Sequence, residues 1–585
     1  MRRFLFGTLT FILLIVSLGG SAILSQSDPI EPAPTLVPPT LVPYPSVSEE
    51  EMFPSESTVA RIQRNGVVKV GILYNAPPFG ELNIRGEHAG YDADLARSIA
   101  ETWGVEIEFV QVTRQPTVLA QLLRDGQVDM LIAALVHHRE FDSLLEFSQT
   151  YYLGRQSVLV RAEDPATEPM SMANRTLGVV TASAAQEAVN DWITRNGLAT
   201  PVRAFFTLDQ AYSALINGQI DGVVDSNYRL RQIAILRPEL TRTLETPIAL
   251  EPYAIAVLRQ DVSMRNLVNR TLQYLAANGR LGEIQRAHFP GEGYATVIPW
   301  DNLGGDAPSP SQYPTNLIFP TIYVVPQLQS NRVVRVAGLI DAGPDAPESE
   351  RRLDTFHRAL LEQMAARWGV AVEFIPNSAG NALELVASGQ ADIAVGATPD
   401  WNWANRVDFT GGYLLHGERL MVRTDYEGET FAGLSGGGMV VTPINEPTAA
   451  ARAVQLAESI HIRIEISQQR EQDLAFALLA DENLDAEAAF GDSLRLIPHV
   501  QQNPADLRLT RRDDDSRWYS QKLMVLAVPL NDIDFRLLVE YTLQELARDG
   551  TLYTLLQPLM MPDEIPTFEI WPGTSVYLSF SLEAH

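Results

Sequence analysis

The chain is 585 residues long, which at roughly 150 residues per domain predicts about four compact units. It is 46% hydrophobic and 20% charged, as a globular chain is and a disordered one is not. A net charge of −28 argues against nucleic-acid binding and against docking on anionic lipid. The lack of cysteine excludes disulfides, thiolate chemistry, iron–sulfur clusters and a lipidated cysteine anchor.

In chain order, Arg2 and Arg3 precede an uncharged stretch, Phe4 to Ser27, that is strongly apolar as far as Leu18. Residues 1–27 therefore read as a signal peptide or an uncleaved signal anchor. Both readings export the rest of the chain to the periplasm, the cell surface or the outer face of the cytoplasmic membrane. The segment is also the only part expected to hold the chain to a membrane. Residues 28–59 are proline-rich and read as an extended spacer.

The chain then repeats itself. "VVKVGIL" (67–73) matches "VVRVAGL" (333–339), and "LARSIAETWGVEIEFV" (95–110) matches "LLEQMAARWGVAVEFI" (360–375). Three further pairs follow in the same order, at offsets between about 262 and 271 residues. This predicts two copies of one unit, over 60–290 and 332–562, joined by a Gly/Pro/Ser-rich linker (291–331) and followed by a tail (563–585). Within a copy, a β-branched strand precedes a helix with an apolar stripe (Leu95, Ile99, Trp103, then a stop at Gly104), and another strand follows. Such alternation predicts an α/β fold with a mostly parallel sheet, and core positions for Trp103 and Trp368.

Six fragments in copy one resemble the extracellular solute-binding proteins of the polar-amino-acid type, which serve ABC importers. They include Pro77-Pro78-Phe79, Gly90-Tyr91-Asp92-Ala93-Asp94-Leu95-Ala96, Glu146-Phe147-Ser148 with Tyr151-Tyr152, and Ala277-Asn278-Gly279-Arg280-Leu281. The resemblance implies two tandem units of the periplasmic-binding-protein type II, each of two α/β lobes joined by crossing strands. It assigns the crossings to "SVLVRAED" and "YAIAVLR" in copy one, and to "ERLMVRTD" and "LMVLAVP" in copy two. A small polar ligand, an amino acid or similar zwitterion, would lie in the cleft and pass to an ABC permease. No cofactor and no catalysis are implied.

The resemblance also marks departures. The family's carboxylate-binding Arg falls at Phe141, leaving Arg139 as a substitute in a rebuilt loop. Its aromatic cover falls at Ala76, with Tyr74 and Phe79 close by. Its anion-binding "G-T" turn becomes Ala182-Ser183, and its ammonium-binding Asp falls at Ser226, with Asp225 one residue short. Copy two keeps Thr398 and Asp492, but has Trp403 in place of the Arg, with Arg406 nearby. Its aromatic turn gives way to "PDAPESERRLD", an acidic rim. The expected ligand contacts are therefore Tyr74, Phe79, Arg139, Ser183 and Asp225 in copy one, and Thr398 and Asp492 in copy two, with copy one the binder. His137-His138 is not a metal site on this reading, because adjacent side chains project apart. Two other functions fit the same pattern: an extracellular sensor or interaction scaffold, and a cleft enzyme related to the peptidoglycan-cleaving transglycosylases that carry this fold.

Overall fold

The computed structural model describes residues 56–292, 297–376, 380–434, 438–481, 486–510, 518–562 and 564. The apolar N-terminal segment, most of the proline-rich spacer and the C-terminal tail apart from Glu564 lie outside the described residues. Among the described residues, no helix is long and apolar enough to cross a membrane.

Copy one opens with α1 (Thr58–Asn65) and β1 (Val67–Ile72), followed by a small sheet of β2 (Asn75–Ala76), β3 (Gly80–Leu82) and β4 (His88–Ala89). Helix α2 (Tyr91–Trp103) carries the predicted apolar stripe. Asp92 and Asp94 in its first turn complement the helix dipole, and Gly104 ends it in the left-handed conformation. Next come β5 (Glu106–Gln111), α3 (Pro116–Arg124) and β6 (Met130–Leu131), and β1 pairs in parallel with both β5 and β6. The long strand β7 (Leu145–Arg161) then leaves lobe one for lobe two. There β8 (Leu177–Val180), α4 (Ala184–Arg195), β9 (Val202–Phe205), α5 (Leu208–Ile216), β10 (Gly222–Ser226), α6 (Asn227–Leu236) and β11 (Thr241–Thr243) alternate. Strand β12 (Ala249–Leu258) returns antiparallel to β7, and α7 (Val262–Ala277) and α8 (Arg280–His288) close lobe one. The β7/β12 ribbon is the hinge. It merges both lobes into one sheet of order β5-β1-β6-β12-β7-β10-β8-β9.

Copy two repeats the order. Lobe one has α9 (Val324–Asn331), β13 (Val333–Ala337), α10 (Glu348–Trp368), β14 (Ala371–Phe374), α11 (Ala382–Ala387), β15 (Ile393–Ala397) and β16 (Val407–Phe409). The outgoing hinge strand is split into β17 (Leu414–His416) and β18 (Glu418–Arg423). Lobe two has β19 (Gly438–Pro443), α12 (Pro447–Ser459), β20 (Ile464–Gln469), α13 (Leu474–Leu479), β21 (Ala486–Asp492), α14 (Ser493–Gln502) and β22 (Leu507–Leu509). Strand β23 (Lys522–Pro529) returns, followed by α15 (Ile533–Arg548) and α16 (Thr551–Leu556). Helix α10 has 21 residues against 13 in α2, and the extra turns lie where copy one has the end of its PPF turn and its small sheet. Individual bonds repeat as well. The Trp103 indole donates to Thr271 Oγ1 at 2.8 Å, and Trp368 donates to Thr542 at the same distance. Asp261 accepts from the Thr58 amide and Asp532 from the Val324 amide, so each copy begins with a helix tied to the same N-cap.

The two copies are not beads on a string. Arg265 of α7 is ion-paired with Glu146 of its own copy and with Asp408 of copy two, while its counterpart Arg536 of α15 reaches back to Glu146. Arg265, Glu146 and Asp408 are buried, and Arg536 is half-buried. Gln273 of α7 accepts from the indole of Trp401, and its counterpart Gln544 of α15 accepts from Arg139 Nε at 2.9 Å. The same pair of surfaces is thus used in both directions, as in an isologous dimer. The segment expected to be a free linker is tied down as well. Trp300 stacks on Trp401 with ring centres 4.6 Å apart, the Asp301 amide donates to Pro399, and Ile298 and Leu317 are buried.

Candidate functional site

In copy one the loops after β1, β6 and β8 all leave the C-terminal ends of parallel strands, where α/β sheets place ligands. The loop after β6 is propped from below: the Ala134 amide donates to Asp92 Oδ2 at 2.7 Å, and Tyr151 donates to Asp92 Oδ1 at 2.9 Å. Burial pushes the Asp92 carboxyl up to about 6, against the pull of those two bonds. Ala134 (φ 47°) and Ala182 (φ 55°) both hold left-handed backbone, which costs a non-glycine residue roughly 1–2 kcal/mol. Both lie in these loops, where strain of this kind concentrates. Across from the first loop, α4 begins at Ser183, whose Oγ accepts from the Gln186 amide. His138 is held below its ordinary value mainly by burial, and it feels Glu187 and Asp191 of α4, so the lobe-one loop faces the start of that helix.

The floor of this cleft is the hinge ribbon. Register sets Ser226 opposite Gln156, and Gly154 opposite Glu251, so Ser226, Gln156 and Glu251 share one face. Glu251 is 7% exposed; Gln156 Nε2 donates to it at 3.0 Å and Tyr253 Oη at 3.4 Å. Burial raises its carboxyl above the ordinary value. Those two bonds oppose the rise, and the charges of Asp225 and Glu187 add to it. Gln156 Oε1 is buried and has no hydrogen-bond partner among the described residues.

Copy two fills the equivalent floor with its own charges. Glu418 stands for Gln156, His416 for Gly154, Lys522 for Glu251 and Asp492 for Ser226, in the same register. His416 Nδ1 lies 2.7 Å from Asp492 Oδ2, and Lys522 Nζ lies 3.0 Å from Glu418 and 4.0 Å from Glu446. Glu446 holds the N-cap position of α12, where copy one has Ser183, but its carboxylate makes no capping bond and accepts from the Asp492 amide at 3.1 Å. Burial and the neighbouring Asp492 raise Glu446 to about 7; burial works against Asp492, yet His416 holds it down to about 2. The lobes are also joined at the rim, where Ser349 of α10 donates to Glu471, which is ion-paired with Arg495. The acidic rim is largely neutralised: Arg351 and Arg352 pair with Glu348, and Arg358 with Asp341 and Asp354.

The residues singled out from sequence are dispersed by the fold. Tyr74 stands 39% exposed at the end of β1 and Ser183 at the start of α4, both on the cleft. Phe79 is packed in an aromatic cluster, stacked on Tyr253 with ring centres 4.7 Å apart. Arg139 is bound to Gln544 and Glu545 and lies over the Tyr541 ring, all in copy two. Asp225 lies opposite Ser157, one position off the Gln156 face, and is engaged by Arg229 and the Ser226 amide. Thr398 is half-buried in a loop covered by Trp300 to Asn302, and Asp492 is in the His416 pair. Sequence reasoning missed Glu251, Gln156, Lys522, Glu418 and Glu446. One signal was available: a charged residue at the same place in two otherwise apolar return strands, "LEPYAIAVL" and "QKLMVLAVPL".

The family model of the bacterial extracellular solute-binding proteins, family 3, matches residues 68–291 and again 348–560. The chain belongs to this family. The duplication read from the repeat and the type II α/β fold implied by the resemblance therefore hold. The ABC transporter glutamine-binding protein GlnH of Bacillus subtilis (strain 168) is 27% identical over 237 residues, 40% of this chain and 84% of that protein. The membrane-bound lytic murein transglycosylase F of Klebsiella pneumoniae is 26% identical over 195 residues, covering 32% of this chain but only 37% of that enzyme. Among solved structures, an ancestral cationic amino acid solute binding protein matches with a TM-score of 0.35 at 22% identity, over 40% of this chain and 100% of that one.

Proposed function

We propose that this solute-binding chain is an exported receptor that captures a small polar, amine-bearing solute in the cleft of copy one for an ABC importer. One observation carries the assignment to copy one. Its hinge floor presents acceptors, Glu251 and Gln156 Oε1, that no cation of the chain engages among the described residues, whereas copy two meets its own floor with Lys522 and His416. Tyr74, Ser183 and the first-turn amides of α4 line the rest of the cleft, and lobe closure about β7/β12 buries the solute. Binding rather than catalysis is the reading, since the transglycosylase relative shares only 37% of its length with this chain. A second reading, an extracellular sensor or scaffold, draws on the reciprocal bracing of the two copies, which ties the cleft loop of copy one to α15.

Native mass spectrometry of the full chain, followed by calorimetric melting with a panel of amino acids and amines, tests the assignment. A solute at a thousand-fold excess over its dissociation constant stabilises the protein by about 4 kcal/mol. Stabilisation lost on Tyr74→Ala but kept on Thr398→Ala supports copy one; the reverse refutes it.

A further inference from the structure

We propose that the cleft of copy one selects a solute of net positive charge, whose ammonium or amidinium group is received at the hinge floor by the Glu251 carboxylate and the Gln156 carbonyl oxygen. This rests on the reading of copy one as the binding copy, and it adds the charge and the anchoring groups.

Four observations converge. Glu251 is 7% exposed and lies on a hinge strand whose remaining side chains, apart from Tyr253, are apolar. Its two bonding partners, Gln156 and Tyr253, are neutral donors, so nothing in its immediate contact balances the charge. Gln156 is 3% exposed and gives its amide hydrogen to Glu251, which leaves Oε1 beside it as a second buried acceptor with no partner among the described residues. A buried acceptor without a donor bears its desolvation uncompensated, and a charged one more so, so this pair favours a donor that carries charge.

Copy two supplies the internal control. At the place of Glu251 it has Lys522, whose ammonium is 3.0 Å from Glu418, the counterpart of Gln156. An ammonium seated on this face is therefore stereochemically sound, and copy two provides it covalently. Copy one carries the acid instead. The fourth observation concerns the opposite charge. Phe141 stands where the resemblance expects a guanidinium, and Arg139 is directed to Gln544, Glu545 and Tyr541. A solute carboxylate is left with the start of α4, where Glu187 in the first turn opposes it. The site is thus built for the cationic end of its solute. Basic amino acids and free diamines share that end.

The test is calorimetric titration of the full chain with L-lysine, cadaverine, L-glutamine and L-glutamate, on the parent and on Glu251→Gln, Gln156→Leu and Thr398→Ala. L-Lysine, cadaverine or both should bind at least about 30-fold more tightly than L-glutamine or L-glutamate, the scale of one charge-assisted bond. Binding of L-lysine alone assigns a basic amino acid; equal binding of cadaverine assigns a diamine. Glu251→Gln should remove most of that preference and raise the melting temperature, because a buried charge is relieved. Gln156→Leu should weaken the cations while leaving Glu251 in place, and Thr398→Ala should change nothing. Tight binding of L-glutamine or L-glutamate that Glu251→Gln leaves intact but Tyr74→Ala abolishes would overturn the charge assignment and preserve copy one as the binder. Binding lost on Thr398→Ala instead, or no binding of any probe, would overturn both.

Discussion

The two hinge floors are the most informative comparison in the molecule. Copy one has Gly154, Gln156, Ser226 and Glu251 on one face; copy two has His416, Glu418, Asp492 and Lys522 at the same register positions. Lys522 is one of only two lysines among 44 basic residues. In copy two Lys522 is set against Glu418 and His416 against Asp492, and a rim contact from α10 joins the lobes. Glu418 Oε2, Glu446 Oε1 and His416 Nε2 nevertheless have no hydrogen-bond partner among the described residues. In copy one the floor holds an acid and its amide neighbour. The same scaffold therefore carries one floor that meets its acid with an ammonium of the chain and one that leaves its acid without a cation among the described residues. The difference is made by a handful of side chains on an otherwise shared backbone.

The reciprocal bracing is where breaking the comparison should have its largest effect. Arg265 holds Glu146 and Asp408 together, with all three buried. Arg265→Met should destabilise the chain by about 3–5 kcal/mol, since it leaves buried carboxylates short of a cation. It should also expose residues 297–323 to limited proteolysis, which the parent should resist because Ile298 and Leu317 are buried and Trp300 stacks on Trp401. Chemical denaturation reads the first effect and gel analysis the second. Independent folding of the two copies would show instead as parent-like melting of the variant.

Moving the copy-two pair into copy one sharpens the comparison further. The double variant Gln156→Glu with Glu251→Lys recreates the Glu418–Lys522 contact on β7/β12. It should abolish solute binding by at least about 100-fold, by placing a covalent ammonium where the solute's would sit, while the melting temperature stays within a few degrees of the parent. Retained binding would mean that the hinge floor is not the anchoring point.

The pH response comes next, and because Asp92 of copy one is also raised, to about 6, the Glu446→Gln variant isolates the share of copy two. Glu446 is raised from 4.5 to about 7, so its contribution to stability is fully present below about pH 4.5 and is lost as pH rises through about 7. That amounts to about 3 kcal/mol over the window. Asp532, also raised to about 7 by burial, adds in the same direction. Asp492 has the opposite sign: its contribution, present above about pH 3.8, is lost as pH falls through about 2. The chain should therefore melt at a higher temperature at pH 5 than at pH 8, and Glu446→Gln should flatten that slope. Rising stability from pH 5 to pH 8 would contradict the cluster's electrostatics.

The fold was largely legible because its signals are local or periodic. The offset of the copies, the stripe of Leu95, Ile99 and Trp103, and the strand–helix alternation all sit within short windows. The site was not, for two physical reasons. A one-residue register difference decides which face a strand side chain takes, so Asp225 and Ser226 cannot be told apart by spacing alone. The partners are also remote: Gln544 lies 405 residues from Arg139, and Lys522 meets Glu418, Glu446 and Asp492 from three other segments. No pattern in one copy reports the charge that the other copy will place against it.

The smallest predicted effect tests whether repeated bonds carry repeated energies. Trp103 and Trp368 each donate to a threonine hydroxyl at 2.8 Å, and each threonine in turn donates to the carbonyl four residues earlier. Thr271→Val and Thr542→Val keep the side-chain shape and remove the acceptor, leaving the indole N–H unpaired. The environments differ: Trp103 is buried, whereas Trp368 is half-buried and water can reach it. The cost follows desolvation, so Thr271→Val should lose about 1–2 kcal/mol and Thr542→Val less than about 1 kcal/mol. Paired denaturation curves of the two variants decide it. Equal losses would mean that the half-buried indole is as dry as the buried one, and a larger loss in copy two would reverse the order of burial on which the argument stands.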